Sequence, residues 1–125
     1  MVVQLNHTIV NVSDKQESAA FVADILGLPA PTVYGPFLVV DVDNDVSLDF
    51  LEVERVHPQH YAFLVSDDEF DQIHARIEDR GLDWWADPFR KSPREWNTDD
   101  GGRGIYWEDS NHHMLEIITR PYTVH

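Results

Sequence analysis

Apolar and polar positions along this chain form a strand pattern that is followed by a helix pattern. Residues 5–14 (LNHTIVNVSD) have the short apolar run and polar end of a β-strand that leads into a helix cap. Ser13 and Gln16 have the spacing of a capping box, which stabilises a helix N-terminus. The apolar residues at helical spacing after it are Phe21, Val22, Ile25 and Leu26. Gly27 suits the left-handed position after a helix, so a strand and a capped helix are predicted here.

The same pattern occurs a second time. Residues 58–67 (PQHYAFLVSD) repeat the strand, and Ser66 and Glu69 repeat the capping-box spacing. Phe70, Ile73 and Ile77 follow at helical spacing, and Gly81 ends that helix. The strand-like segments after the helices are residues 32–35, 35–42 and 46–53 in the first half, and residues 83–87, 104–109 and 113–119 in the second.

These elements predict an α+β fold made of two tandem βαβββ modules. Module 1 covers about residues 1–56 and module 2 about residues 57–125. We expect the two modules to form one domain, because each needs the sheet of the other to bury its faces. Residues 88–103 are rich in proline, glycine and polar side chains, and they predict a long loop over a pocket.

The repeat also aligns residues that carry chemistry. His7 falls on His60, and Asp49 falls on Glu116, so a histidine and a carboxylate lie on predicted strands in both halves. His7 shares its strand face with alternate residues, since side chains along a strand alternate between faces. Imidazole and carboxylate ligands without sulfur suit Mn, Fe, Ni or Zn, and two histidines with one carboxylate are typical of non-haem Fe(II) oxygenases.

Composition narrows the classes of function. The net charge of −14 argues against binding to a nucleic acid or to an anionic membrane surface, both of which require a basic surplus. The chain contains no cysteine, which excludes disulfides, thiolate catalysis and cysteine-ligated metals. Neither a signal peptide nor an apolar stretch of about 20 residues is visible, so a cytoplasmic protein is expected.

The motifs "LNHT", "QHYAFLV" and "HMLEIIT" resemble those of the vicinal oxygen chelate superfamily of glyoxalases, extradiol dioxygenases, fosfomycin-resistance transferases and bleomycin-resistance proteins. The resemblance covers roughly residues 5–122 and implies a cupped, open sheet around one divalent metal. By this resemblance, His7, His60 and Glu116 are the metal ligands. Asp49 lies where glyoxalases place a fourth, carboxylate ligand, which is normally glutamate. Because the aspartate side chain is shorter, three roles stay open for it: a direct metal ligand, a hydrogen-bond partner of a ligand, or a general base.

Within the superfamily, the chain resembles the branch that contains the small dioxygenase of chartreusin biosynthesis, whose members oxidise aromatic polyketides. The resemblance implies an extradiol-type dioxygenase that uses O₂ and an aromatic substrate chelated through vicinal oxygens. Fe(II) is the expected metal, with Mn, Ni or Zn as alternatives. Tyr106 matches an active-site tyrosine that hydrogen-bonds or protonates the bound substrate, although a core aromatic would show the same pattern. A homodimer is expected, with the metal site either within one chain or across two.

Two other functions fit the same superfamily. One is a glyoxalase-type isomerase or lyase with Asp49 as the fourth ligand, and the other is a drug-binding protein of the bleomycin-resistance type. The binding protein is disfavoured, because such proteins typically lack the three ligands. A fosfomycin transferase is not expected, since Ile9 stands where those enzymes have threonine. In the turn before the last strand, His112 occupies a position where glycine normally takes a positive φ.

Overall fold

A computed structural model describes residues 2–123 as two compact units, the first ending at His57 and the second beginning at Pro58. The first unit contains β1 (His7–Val12), α1 (Lys15–Leu26), β2 (Thr32–Tyr34), β3 (Phe37–Val42) and β4 (Val46–Glu52). Its sheet has the order β1-β4-β3-β2. β1 runs parallel to β4, whereas β3 is antiparallel to both of its neighbours. This unit is the predicted βαβββ module.

Strand alternation decides which face of the first sheet is buried. Val10 and Val12 of β1 and Leu48 and Phe50 of β4 are all buried, and α1 packs against β3 and β4. α1 also buries Ile25 completely. The residues between these buried positions point to the opposite face of the sheet, because successive side chains in a strand alternate. That opposite face therefore carries the candidate site residues of this unit.

Helix α1 begins one residue later than the sequence predicts. Its N-cap is Asp14, whose carboxylate accepts a hydrogen bond from the backbone N–H of Glu17 at 3.1 Å. The predicted capping box of Ser13 and Gln16 is therefore wrong by one position. Aspartate caps a helix as well as serine does, so neighbouring Ser and Asp residues compete for the cap. The predicted end is confirmed, since Gly27 takes the left-handed conformation with φ 71°.

The second unit contains β5 (His60–Leu64), α2 (Asp67–Asp79), a 3₁₀ turn (Asp99–Gly101), β6 (Gly104–Glu108) and β7 (Met114–Ile118). Its sheet has the order β5-β7-β6, with β5 parallel and β6 antiparallel to β7. The three predicted apolar positions of α2, Phe70, Ile73 and Ile77, are buried. In place of a full strand over residues 83–87, Trp85 forms single bridges to Pro93 and Tyr106. The α+β class is thus confirmed, with sheets of four and three strands.

The long segment between α2 and β6 is fastened to the second unit by side chains. The guanidinium of Arg94 donates to Glu78 of α2 at 2.7 Å. Arg103 donates to Asp71 at 2.8 Å and to Asp67 at 3.1 Å. Its guanidinium also lies 4.2 Å from the ring centre of Phe70. These ion pairs and this cation–π contact hold the middle and the C-terminal end of the segment against α2.

The turn between β6 and β7 accommodates His112 in the conformation expected of glycine, with φ 65°. The carboxylate of Asp109 accepts hydrogen bonds from the backbone N–H groups of Asn111 at 2.9 Å and His113 at 2.8 Å. These bonds stabilise the turn around His112. The turn leads directly into β7, which pairs with β6.

The capping box of α2 predicts a pH effect on stability. Ser66 and Glu69 exchange hydrogen bonds of 2.9 and 3.1 Å, and the bonds from the Ser66 backbone and side chain lower the pKa of Glu69. The stabilisation is therefore complete above the unfolded pKa and is lost as the pH falls through the folded pKa. Between pH 6 and pH 3, the free energy of unfolding measured with urea should fall less for the Glu69→Gln variant than for the wild type. Equal losses would contradict this role of Glu69.

Within residues 2–123, neither helix is long and apolar enough to cross a lipid bilayer.

Candidate metal and substrate site

The face of the first sheet that is not covered by α1 forms a concave surface. Strand pairing aligns His7 with Ser47, and Ile9 with Asp49, in neighbouring positions on this face. A cavity of about 550 Å³ lies over it. Its polar lining includes His7, Ser47 and Asp49, and its apolar lining includes Ile9, Tyr34 and Phe37. This volume is in the range of about 300–1,000 Å³ that is typical of small-molecule sites.

His7 and Asp49 both face this cavity, as the repeat predicts. Nδ1 of His7 lies 2.7 Å from the Asn6 side-chain oxygen, which leaves Nε2 directed away from that contact. The carboxylate of Asp49 accepts a hydrogen bond from the Ser47 hydroxyl at 2.8 Å. The first unit thus presents one imidazole and one oriented carboxylate beside an apolar and aromatic wall.

The second unit brings His60 and Glu116 into direct contact. Glu116 on β7 lies opposite Ala62 of β5, so it is diagonal to His60 on the same sheet face. His60 Nε2 lies 2.8 Å from Glu116 Oε1. The His60 side chain is 46% exposed and that of Glu116 is 15% exposed, so the imidazole is open to a ligand whereas the carboxylate is held in the sheet.

Tyr106 completes this cluster. It lies directly opposite Glu116 in the β6–β7 pairing, and its ring meets the His60 ring edge-on with the centres 5.7 Å apart. Burial, followed by the hydrogen bond to Glu116 and the charge of that carboxylate, raises the pKa of Tyr106 far above its usual value. The phenol therefore stays protonated at neutral pH and can act as a hydrogen-bond donor.

Each unit thus carries part of the predicted site. His7 and Asp49 lie on the first sheet, whereas His60, Glu116 and Tyr106 lie on the second. In the part of the chain that the structure describes, no three histidine, aspartate, glutamate or cysteine side chains form a group that could hold a metal ion. Two of the three predicted ligands, His60 and Glu116, are in contact within the second unit, and the third, His7, lies in the first unit.

The His60–Glu116 pair fits a divalent metal. An imidazole nitrogen and a carboxylate oxygen are suitable ligands for Fe, Mn, Ni and Zn. Two ligand atoms that bind one ion at right angles, each with a bond of about 2.1 Å, lie about 3 Å apart. The observed separation of 2.8 Å is close to that value. An ion could therefore replace the direct contact between the two side chains with little movement of the sheet.

Ser47 is a site residue that was not recognised from the sequence. It precedes Asp49 by two positions on β4, so both residues face the cavity. The Ser-x-Asp spacing on a predicted strand was the available signal. This signal is weak, because the same spacing in a turn or helix does not place the two side chains on one face.

Comparison with known proteins identifies the family. Residues 4–117 match the Glyoxalase/Bleomycin resistance protein/Dioxygenase superfamily. The structure is similar to that of Oxidase ChaP-H1, with a TM-score of 0.96, 62% identity, and coverage of 98% of this chain and 100% of that chain. For Oxidase ChaP-H2 the TM-score is 0.95, the identity is 58%, and the coverage is 98% and 97%.

A curated relative, "Glutathione transferase FosA" from Serratia marcescens, is 31% identical over 94% of this chain and 81% of its own length. The resemblance to the superfamily is confirmed by these matches, which extend over both units. The chain therefore belongs to the glyoxalase/bleomycin resistance protein/dioxygenase superfamily.

Proposed function

We propose that this protein is an Fe(II)-dependent dioxygenase of an aromatic, polyketide-like substrate that binds the metal through two vicinal oxygens. The observation that carries the proposal is the 62% identity to Oxidase ChaP-H1 across nearly the whole length of both chains. The apolar and aromatic lining of the cavity in the first unit supports a flat aromatic ligand.

The proposed metal ligands are His7, His60 and Glu116. The 2.8 Å contact between His60 and Glu116 supports two of them. We propose that a second copy in a homodimer supplies His7, which lies on the first unit, whereas the other two ligands lie on the second. A metal held by these residues would act as a redox-active Lewis acid toward the substrate oxygens.

Two further residues have proposed roles beside the metal. The protonated phenol of Tyr106 donates to Glu116 in this structure, and it can donate instead to a substrate oxygen and orient the ring when Glu116 binds a metal. The carboxylate of Asp49 is held by the Ser47 hydroxyl, so it can accept the proton of a substrate hydroxyl. Both residues lie on strands, which position side chains more precisely than loops do.

Oxygen consumption by the iron-loaded protein tests this function. Protein purified without oxygen and loaded with Fe(II) should take up O₂ when polycyclic phenols with vicinal oxygens are added.

Three controls represent the alternatives: the nickel form with a hemithioacetal, fosfomycin with glutathione, and a bleomycin-type drug. If the iron form consumes no oxygen and the nickel form isomerises the hemithioacetal, the protein is a glyoxalase. Turnover of fosfomycin would make it a transferase, as in the FosA relative. Tight drug binding without chemistry would make it a sequestering protein.

Tyr106→Phe should slow turnover more than it weakens substrate binding. The variant keeps the ring that packs against His60 but lacks the phenol donor. A hydrogen bond that strengthens in the transition state affects kcat, and its loss typically costs about 10²-fold. Steady-state oxygen uptake should therefore show kcat lower by about that factor with KM within about threefold of the wild type. An unchanged kcat would assign Tyr106 to packing alone.

A further inference from the structure

We propose that Ser47 is a positioning residue that holds the Asp49 carboxylate in the orientation needed to accept a proton from the substrate. This inference rests on the proposed function, in which Asp49 acts as the base. The inference assigns a role to Ser47, which acts through its contact with Asp49. This role can be tested by a measurement that does not depend on oxygen consumption.

The strand geometry brings Ser47 and Asp49 to the same surface. On β4, Leu48 and Phe50 are buried, whereas Ser47 and Asp49 are only partly buried and line the cavity. Strand pairing places Ser47 directly beside His7. Ser47 is thus next to a proposed metal ligand and two residues from the proposed base.

The hydrogen bond fixes one oxygen of the carboxylate and leaves the other for chemistry. The Ser47 hydroxyl donates to Oδ1 of Asp49 at 2.8 Å. An aspartate side chain rotates about two bonds, and a donor to one oxygen restricts that rotation. The reaction step is a proton transfer. The O–H bond of the substrate breaks, the proton moves to Oδ2 of Asp49, and the electron pair stays on the substrate oxygen.

A role in folding does not account for Ser47. Its side chain lies on the cavity face, whereas the core residues of β4 lie on the other face. Its hydroxyl bonds another cavity residue rather than the backbone. Ser47→Ala is therefore expected to change the unfolding midpoint little, as substitutions away from the core usually do.

A double-mutant cycle separates action through Asp49 from any independent effect. We expect Ser47→Ala to lower kcat about 10-fold, the typical effect of losing one hydrogen bond to a charged group, with KM little changed. Ser47→Thr keeps the hydroxyl and should restore kcat. In the Asp49→Asn background, Ser47→Ala should have no further effect, because the base is already absent. Ser110→Ala, in the turn after β6, is the matched control and should behave as the wild type.

A second readout does not depend on oxidation. With zinc in place of iron, 4-nitrocatechol changes its visible spectrum when it loses a proton on binding. The wild type and Ser47→Thr should bind the deprotonated probe, and Ser47→Ala and Asp49→Asn should bind it in a less deprotonated form. If Ser47→Ala binds the probe as the wild type does while Asp49→Asn does not, the role of Ser47 is overturned. If the wild type deprotonates the probe but its iron form consumes no oxygen, the proposed dioxygenase function is wrong, whereas the proposed positioning role of Ser47 stands. A wild type that does not bind the probe overturns both.

Discussion

His60→Ala should yield a folded protein that no longer holds its metal. After loading and removal of free ion, metal analysis should find less than about a tenth of the wild-type content, because a direct ligand contributes more than the 10–100-fold that outer contacts contribute. Oxygen uptake should fall at least about 100-fold. The fold should persist, since the His60 side chain is about half exposed and the buried core of its unit lies on the other sheet face.

His57→Ala is the matched control, because it removes an exposed histidine three positions earlier in the chain. It should keep the metal and the activity of the wild type. Circular dichroism and the urea midpoint should be similar for the two variants. Since Glu116 keeps its hydrogen bond to Tyr106 in His60→Ala, the carboxylate is not left without a partner. Wild-type metal content in His60→Ala would reject His60 as a ligand.

Mixing two inactive variants should restore activity. If each metal site combines His7 of one copy with His60 and Glu116 of the other, His7→Ala and His60→Ala homodimers are both inactive. In a mixed dimer, the intact His7 of one copy meets the intact His60 of the other, and one of the two sites is complete. After unfolding and refolding a 1:1 mixture, about a quarter of the wild-type activity and metal content should return, since about half of the dimers are mixed.

The control for this experiment is a 1:1 mixture of His60→Ala with Glu116→Ala. Both ligands belong to the same unit of the same copy, so every site in that mixture lacks at least one of them. Activity in this control would point to residual function of the single variants. No recovery in the first mixture, with mixed dimers shown by mass spectrometry, would mean that the site forms within one chain.

Much of the fold was predictable because its signals are local. The capping box of Ser66 and Glu69 lies where the spacing predicts it, with both reciprocal hydrogen bonds. The left-handed residues Gly27 and Gly81 end the helices as expected. Register follows from alternation, since burial of Leu48 and Phe50 forces Ser47 and Asp49 onto the other face of β4. His60 and Glu116 were recognised as candidates because the repeat places a histidine and a carboxylate in each half and because the motifs resemble those of the superfamily.

Other features of the fold could not be predicted, because neighbouring residues are equally suited to the same role or because the contacts join residues distant in sequence. Asp14 rather than Ser13 caps α1, because both side chains are good caps and the backbone path decides between them. The residues around Trp85 have a strand composition, yet Trp85 forms only single bridges, to Pro93 and to Tyr106 of β6. Arg103 is engaged by Asp67 and Asp71, which its spacing in the sequence does not reveal.

The parallel pairing of first and last strands has a consequence for the order of events during synthesis. In each unit, the strand that is made first, β1 or β5, pairs with the strand that is made last, β4 or β7. Neither sheet can close until its final strand has left the ribosome. About 40 residues must be added after β1 before its partner is complete, and about 50 after β5. Closing such long loops slows folding. A nascent chain stalled before Met114 exposes β5 and β6 without the strand that separates them, which is an opportunity for chaperone binding.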